Sequence, residues 1–117
     1  MKILVVDDQV YNRLILKEII DIFDYECIMA KNGKECINIL EKENFDAIFM
    51  DIEMPIMDGL EAIYNIRKMQ YPKNRTPVFV ISAHKSLDLD DENFDGFVEK
   101  PFSVELIENI LKKIKKN

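Results

Sequence analysis

The sequence contains few of the residues that build disulfide frameworks or transition-metal sites. Its 117 residues include two cysteines and one histidine. Cys27 and Cys36 lack metal-ligand spacing and stand among apolar neighbours, so we predict that both are reduced core residues. The single histidine, His84, stands in a polar stretch, and we expect it to be solvated rather than to bind a metal or carry a phosphoryl group.

Long apolar runs are also missing. No stretch approaches the roughly 20 apolar residues that a membrane-spanning helix needs, so we expect no membrane association. The first residues, MKILVVDD, lack the apolar region and cleavage site of a secretory signal, which makes a cytoplasmic location the default expectation. A chain of 117 residues suits one domain with one hydrophobic core, and we assign residues 1–117 to it.

Positive charge is scarce. The chain has 16 lysines and arginines against 22 aspartates and glutamates, which gives a formal net charge of -6 at pH 7. Direct binding to nucleic acid usually depends on a basic face or stripe, so we expect none. The lysines near the C-terminus do not change this expectation, because cations in the last turns of a helix stabilise its dipole.

The sequence does contain short apolar runs that each end in a polar residue suited to phosphate chemistry. Asp7 and Asp8 follow ILVV, Asp51 follows AIFM, Ser82 follows VFVI, and Lys100 follows GFVE. Such runs, alternating with helical patterns, are typical of buried parallel strands. Open parallel sheets place their ligand sites at the carboxyl ends of the strands. We therefore expect three carboxylates, a hydroxyl and an ammonium to meet at one edge of a sheet.

The apolar spacing predicts an α/β domain. Strands are predicted at residues 3–6, 27–30, 47–50, 78–81 and 97–98. Helical patterns fill most of the gaps, and this alternation implies a parallel sheet with right-handed crossovers and helices on both faces. The predicted fold is a doubly wound domain with five strands.

Three of the predicted helices have recognisable starting signals. Asn32 and Glu35 resemble a capping box ahead of the second helix. Asp58, with Glu61 three residues later, begins the third helix. Ser103 opens the last helix, which has the clearest amphipathic pattern in the chain.

Three neighbouring aspartates would repel one another. Two unit charges about 4 Å apart cost on the order of 4 kcal/mol at an effective dielectric constant of about 20. A divalent cation would relieve this repulsion, and an all-oxygen site without a histidine or cysteine cluster favours Mg²⁺ or Mn²⁺ over zinc. Because Mg²⁺ usually takes only one or two carboxylates, one aspartate would stay free to attack phosphorus and form an aspartyl phosphate. The metal, Lys100, and Ser82 with a backbone N–H would neutralise the phosphoryl oxygens.

The motifs VVDDQVYNR, FMDIEMPIMDGLEAI, ISAH and VEKPF resemble the receiver domain of bacterial response regulators, especially receivers attached to hybrid histidine kinases. The resemblance extends from Lys2 to the final helix. It implies a flavodoxin-like sheet with strand order 2-1-3-4-5. It also implies a phosphoacceptor in a two-component system or phosphorelay, with a histidine kinase or a histidine phosphotransfer protein as partner. Such a domain is not an enzyme beyond its own phosphotransfer and slow autodephosphorylation, and we expect a monomer rather than a dimer.

The resemblance assigns a role to each acidic residue of the set. Asp51 is the phosphoacceptor. Asp7 and Asp8 hold Mg²⁺ (or Mn²⁺), together with Asp51 and the backbone carbonyl of Glu53.

The resemblance also assigns the groups that respond to phosphorylation. Ser82 and Lys100 contact the phosphoryl group, as catalytic residues beside Asp51. Phe97 matches an aromatic residue that changes rotamer when the hydroxyl moves, although the residues alone explain it equally well as a core residue. Pro101 follows the lysine, where a cis peptide bond is expected.

A partner would contact the first helix next to the site. The candidate residues are Tyr11, Asn12, Leu14 and Ile15, together with Pro101. Leu14 and Ile15 are also candidates for the core, although one helix cannot turn all of these residues inward.

The segment between the fourth and fifth strands departs from the family pattern. It is shorter by about four residues, which corresponds to roughly 6 Å of helix. Acidic residues occupy positions where a helix would need apolar ones: Asp88, Asp90, Asp91 and Glu92. We predict a short or irregular fourth helix, and a domain that passes phosphate on or presents a different face instead of dimerising through the usual one.

Two other functions remain open from the residues. A small phosphohydrolase of the haloacid dehalogenase sort also forms an aspartyl phosphate, but it carries its nucleophile after the first strand in a D-x-D arrangement and normally needs more chain. A receiver-like binding module that is never phosphorylated would lack an acid, the hydroxyl or the lysine, and this sequence lacks none of them.

Overall fold

The computed structural model describes residues 1–54, 56–83 and 93–115. Within these ranges, five strands alternate with four α-helices. The strands are β1 (Lys2–Val6), β2 (Glu26–Ala30), β3 (Ala47–Asp51), β4 (Val78–Ser82) and β5 (Gly96–Glu99), and the helices are α1 (Val10–Ile22), α2 (Gly33–Lys42), α3 (Gly59–Arg67) and α4 (Val104–Lys115). All five predicted strands are confirmed, each extended by at most one residue at either end.

The five strands form one parallel sheet in the order β2-β1-β3-β4-β5, which confirms the predicted doubly wound topology. The register keeps the carboxyl ends of the strands level. Val6 lies opposite Met50, and Ser82 lies opposite Glu99. The residues that follow each strand therefore share one edge of the sheet.

Both faces of the sheet are buried. Side chains alternate along a strand, so Leu4 and Val6 join the core cluster under α2 and α3, whereas Ile3 and Val5 join the cluster under α1 and α4. All four of these residues are fully buried. A strand covered on both sides needs a continuous apolar run, which is why β1 reads ILVV rather than alternating with polar residues.

The two cysteines are core thiols, as predicted. Both are free, with Cys36 buried and Cys27 half-buried. Burial raises the pKa of the Cys36 thiol to about 12 and that of Cys27 to about 11. Both therefore stay protonated and weakly reactive at neutral pH.

The predicted helix caps are confirmed. Side-chain oxygens of Asn32, Asp58 and Ser103 each accept a hydrogen bond from the backbone N–H three residues later, at 2.8, 2.9 and 3.1 Å. One detail differs from a capping box: the Glu35 carboxylate accepts from the N–H of Lys31, at 3.3 Å, one residue before the cap.

Arg67, at the end of α3, connects that helix to the loop before β4 and to the residues before β5. These contacts lie at the edge of the sheet opposite the carboxyl ends of the strands. Its guanidinium donates to the carbonyl oxygens of Asn74 at 3.1 Å, Thr76 at 2.7 Å and Asn93 at 2.7 Å. It also donates to the carboxylate of Asp95 at 3.2 Å. These bonds hold the loop before β4 and the residues before β5 against the end of α3.

Two sequence predictions lie outside the described residues. The short or irregular helix between β4 and β5 would fall on residues 84–92, as would the solvated His84. In the part of the chain that is described, no helix has the length and apolar character needed to cross a membrane.

Gly59 lets α3 begin directly against the end of β3. Its N–H donates to the carbonyl oxygen of Ile52 at 3.3 Å. A Cβ at this position would lie 2.4 Å from the carbonyl oxygen of Asp51 and 2.6 Å from the Cα of Ile52. Both are backbone atoms, so a side chain here would have to displace the segment that carries Asp51.

We predict that Gly59→Ala lowers the free energy of unfolding by about 1 to 3 kcal/mol, the usual cost of overpacking. This loss opposes the gain that alanine normally brings to a helix. Urea denaturation would measure it. Gly96→Ala is the matched control, because its new methyl would meet the side chain of Phe79, at 2.8 Å, and a ring can shift where a backbone cannot. An equal or smaller loss for Gly59→Ala would contradict this account of the β3–α3 junction.

Candidate functional site

Asp7 and Asp8 follow β1 at the carboxyl edge of the sheet. Asp7 is fully buried, and its N–H donates to the carbonyl oxygen of Ala30 at 3.1 Å. One carboxylate oxygen, Oδ1, accepts from the N–H of Gln9 at 2.9 Å. The guanidinium of Arg13 donates to the Asp7 carbonyl oxygen at 2.7 Å. The backbone and α1 therefore fix Asp7, while Asp8 stays half-exposed beside it.

Asp51 ends β3 and completes the acidic group. Asp51 is only 2% exposed, and its Oδ1 accepts from the N–H of Glu53 at 2.9 Å. One carboxylate oxygen from each of Asp7, Asp8 and Asp51 lies within 4.8 Å of the other two. The structure thus brings together the three carboxylates that the sequence placed at separate strand ends.

Lys100 follows β5 and reaches across the sheet edge to the carboxylates. Its Nζ lies 3.5 Å from Oδ2 of Asp51 and 3.7 Å from Oδ2 of Asp7. These distances exceed those of a normal hydrogen bond, so the attraction is mainly between charges. The peptide bond to Pro101 is cis, as the resemblance implied. One ammonium lies beside three carboxylates, so the group keeps an excess of negative charge.

Ser82 ends β4 and is fully buried beside this group. Its hydroxyl donates to Oε1 of Glu53 at 2.8 Å. Sequence reasoning assigned Glu53 a role only through its backbone carbonyl and missed the side chain. The adjacency of β3 and β4 is the signal that could have indicated it, because residues just beyond neighbouring strands lie side by side.

Phe97 and Ile15 both pack against the core, whereas other candidate residues face outward. Phe97 packs against the cluster under α2 and α3, and Ile15 packs against the opposite cluster. Tyr11 is 75% exposed and Leu14 is 50% exposed, so Leu14 does not belong to the core. The rotamer change of Phe97 stays a prediction.

The remaining two partner-binding candidates also lie near the site without entering the core. Asn12 is half-buried on α1, and Pro101 is exposed after β5. Their assignment to a partner-binding surface stays a prediction, as does that of Tyr11, Leu14 and Ile15.

The environment of Asp51 raises its pKa from an ordinary 3.8 to about 6. Burial is the largest cause, and the nearby Asp7 carboxylate adds to it. The N–H of Glu53 and the charge of Lys100 act in the opposite direction but do not prevent the rise. Ionised Asp51 therefore has a free-energy cost at neutral pH that an added cation would reduce.

The residues fit a divalent metal ion. Oδ2 of Asp7 is buried and has no hydrogen-bond partner among the described residues, with Lys100 3.7 Å away. Carboxylate oxygens are hard ligands of the kind that Mg²⁺ and Mn²⁺ prefer. An ion bound to this atom would both satisfy it and reduce the repulsion between Asp7, Asp8 and Asp51.

Comparison with known families gives one clear match. The sequence profile of the response regulator receiver domain matches residues 3–112. Sporulation initiation phosphotransferase F of Bacillus subtilis (strain 168) is 31% identical over 116 residues, covering 96% of this chain and 91% of that protein. Hybrid signal transduction histidine kinase F of Dictyostelium discoideum is 34% identical over 119 residues, covering 96% of this chain and 11% of the kinase. The chain thus spans almost all of the first relative and a small part of the second.

Solved structures of similar fold include two that contain magnesium. Response regulator protein TrrA of Thermotoga maritima, in complex with Mg²⁺ and BeF, has a TM-score of 0.86 and 34% identity, with 97% of each chain covered. The receiver domain of a sensor histidine kinase of Pseudomonas aeruginosa PAO1, with a magnesium ion coordinated in its active-site cleft, has a TM-score of 0.88 and 26% identity. The superposition covers 99% of this chain and 98% of that receiver domain.

We predict that Asp51→Asn stabilises the metal-free fold at neutral pH but not at pH 4. A carboxyl whose pKa is raised on folding contributes no penalty below its unfolded pKa; the penalty grows as the pH rises from the unfolded to the folded value and is constant above it. The expected gain above pH 7 is about 2 to 3 kcal/mol, from a pKa near 6 compared with 3.8.

Urea denaturation with a chelator present, between pH 4 and pH 8, would measure this gain. Asp24→Asn is a suitable control, because Asp24 is exposed and asparagine tolerates its positive φ of 61°. A gain that is the same at both ends of the pH range would show that the Asp51 carboxylate is not disfavoured by folding.

Proposed function

Because the chain belongs to the response regulator receiver domain family, we propose that it accepts a phosphoryl group from a phosphohistidine onto Asp51. The observation that carries this proposal is the convergence of Asp7, Asp8 and Asp51 with the Lys100 ammonium at one sheet edge. Phosphoryl transfer depends mainly on positioning and on neutralising the phosphoryl oxygens, and this set of groups suits both tasks.

In the proposed reaction, a carboxylate oxygen of Asp51 attacks the phosphorus. The bond between phosphorus and the donor's imidazole nitrogen breaks, and the electron pair of that bond leaves with the imidazole. The N–H of Glu53 holds Oδ1 of Asp51 at 2.9 Å and so orients the nucleophile. Lys100, already 3.5 Å from Oδ2, needs only a small shift to contact a phosphoryl oxygen. The Ser82 hydroxyl would donate to another.

We propose that Asp7, Asp8 and Asp51 hold Mg²⁺, or Mn²⁺, together with the backbone carbonyl of Glu53. The bound ion would supply positive charge to the phosphoryl oxygens. The buried Oδ2 of Asp7, which has no hydrogen bond to any residue that the structure describes, supports this assignment. The magnesium described for the Thermotoga maritima and Pseudomonas aeruginosa structures supports it by analogy.

The proposed partner is a histidine kinase or a histidine phosphotransfer protein that docks over the site. The exposed Tyr11 and Leu14 on α1 and the exposed Pro101 offer a mixed apolar surface beside the carboxylates. Asn12 and Ile15 would complete this surface. The names of the relatives, a sporulation phosphotransferase and a hybrid histidine kinase, are in keeping with such a partner.

We further propose that residues 1–117 act as one monomeric receiver domain in the cytoplasm. The domain would catalyse only its own phosphotransfer and a slow loss of phosphate. Phe97 would change rotamer when Ser82 turns toward the phosphoryl group, since Phe97 lies opposite Val80, two residues before Ser82, in the register of β4 and β5.

Intact-mass measurement after incubation with acetyl phosphate or phosphoramidate would test the phosphoacceptor proposal. We expect one added phosphoryl group on the wild type with Mg²⁺, very little without it, and none on Asp51→Asn. Asp24→Asn is the control for loss of an aspartate and should behave as the wild type. An unchanged adduct on Asp51→Asn would contradict the assignment. Rapid, repeated turnover of a simple phosphate monoester would instead favour a phosphohydrolase.

We predict that Mg²⁺ raises the melting temperature of the wild type in a concentration-dependent way, because a ligand that binds only the folded state stabilises it. Asp7→Asn should abolish most of this shift, since it removes the negative charge of a buried carboxylate whose Oδ2 has no hydrogen bond among the described residues. Asp46→Asn, remote from the acidic group, is the control. An equal shift in Asp7→Asn and the wild type would place the metal elsewhere.

A further inference from the structure

We infer that the Glu53 carboxylate holds the Ser82 hydroxyl in the unphosphorylated protein and must release it before that hydroxyl can contact a phosphoryl group on Asp51. This inference rests on the proposed function of Asp51. It gives the Glu53 side chain a role separate from that of its backbone: it acts as a latch that slows phosphorylation.

The first observation is the hydrogen bond itself. Ser82 Oγ donates to Oε1 of Glu53 at 2.8 Å. A hydroxyl has a single proton to donate, so Ser82 cannot give it to Glu53 and to a phosphoryl oxygen at the same time. The two acceptors therefore compete.

The second observation is that both competitors are within reach. Asp51 lies opposite Ile81, the neighbour of Ser82, in the register of β3 and β4. A phosphoryl group on Asp51 would therefore stand beside the fully buried Ser82. Rotation about one side-chain bond would redirect the hydroxyl from Glu53 to that group.

The third observation is the contrast in burial. Ser82 is fully buried, whereas Glu53 is exposed. A buried hydroxyl needs a hydrogen-bond partner, and the Ser82 hydroxyl donates to a charged group on an exposed residue. Because Glu53 is exposed, breaking this hydrogen bond does not leave a buried charge behind.

Charge adds to the effect. The Glu53 carboxylate is hydrogen-bonded to Ser82, and the Glu53 backbone N–H to Asp51, so Glu53 adds negative charge beside a group of three carboxylates and one ammonium. A phosphodonor is also anionic, so Glu53 opposes its approach as well as holding the hydroxyl. The test must separate repulsion from the hydrogen bond.

Phosphorylation rates with phosphoramidate at saturating Mg²⁺ would provide that test for the wild type, Glu53→Ala, Ser82→Ala and the double variant. Each variant is first shown by urea denaturation to be folded. We expect Glu53→Ala to react up to about tenfold faster than the wild type, because a hydrogen bond to a charged group no longer has to be broken before transfer. The gain should largely vanish in the Ser82→Ala background.

Glu53→Gln and a remote control complete the design. Glutamine removes the charge and keeps an acceptor oxygen, so a latch predicts a smaller gain than for alanine. Glu41→Ala, an exposed acid near the far end of α2, should leave the rate unchanged.

The outcomes are distinguishable. An equal gain from Glu53→Ala in both backgrounds, or no gain in the wild-type background, would overturn the latch and leave the function of Asp51 intact. The absence of any phosphoryl adduct on every folded variant would overturn the proposed function itself.

Discussion

The properties of the site follow from the repulsion among three carboxylates that the sheet brings together. Asp7 and Asp51 are almost completely buried, and Asp8 lies beside them. A single ammonium, that of Lys100, stands 3.5 to 3.7 Å from two of them and cannot balance all three. Burial, and after it the nearby Asp7 carboxylate, raises the pKa of Asp51, and Oδ2 of Asp7 has no hydrogen bond within the described part of the chain. A site with these properties favours a divalent cation and a phosphoryl group bound together, each reducing the cost of the other.

The packed sheet and its helices hold the three carboxylates together despite their repulsion. The carboxyl ends of the strands are level in a sheet whose two faces are both covered, so the strand-end residues have little freedom to separate. Gly59 sets α3 against the backbone of Asp51 and Ile52. At the opposite edge, Arg67 holds the starts of β4 and β5 through backbone carbonyl oxygens. The stability of the sheet thus offsets the electrostatic strain of the site.

Most of the fold could be predicted because it depends on local patterns. The continuous run from Ile3 to Val6 indicated a strand buried on both faces, and the side chains of Asn32, Asp58 and Ser103 indicated where helices begin. The convergence of the aspartates also followed, since topology alone places the ends of parallel strands at one edge.

Contacts between side chains distant in sequence could not be predicted in the same way. Glu53 and Ser82 are 29 positions apart, and their hydrogen bond depends on rotamers that no periodicity encodes. The same is true of the hydrogen bonds from Arg67 to two separate segments, the loop before β4 and the residues before β5. The central claim, that the carboxylates at the strand ends form one cation site, can be tested directly by titrating the protein with Mn²⁺ and following its amide NMR signals. The account predicts that the signals of Asp7, Asp8, Asp51 and Glu53 broaden first, because the paramagnetic ion lies among them. Broadening that begins at another part of the surface, with these four signals unaffected, would contradict it.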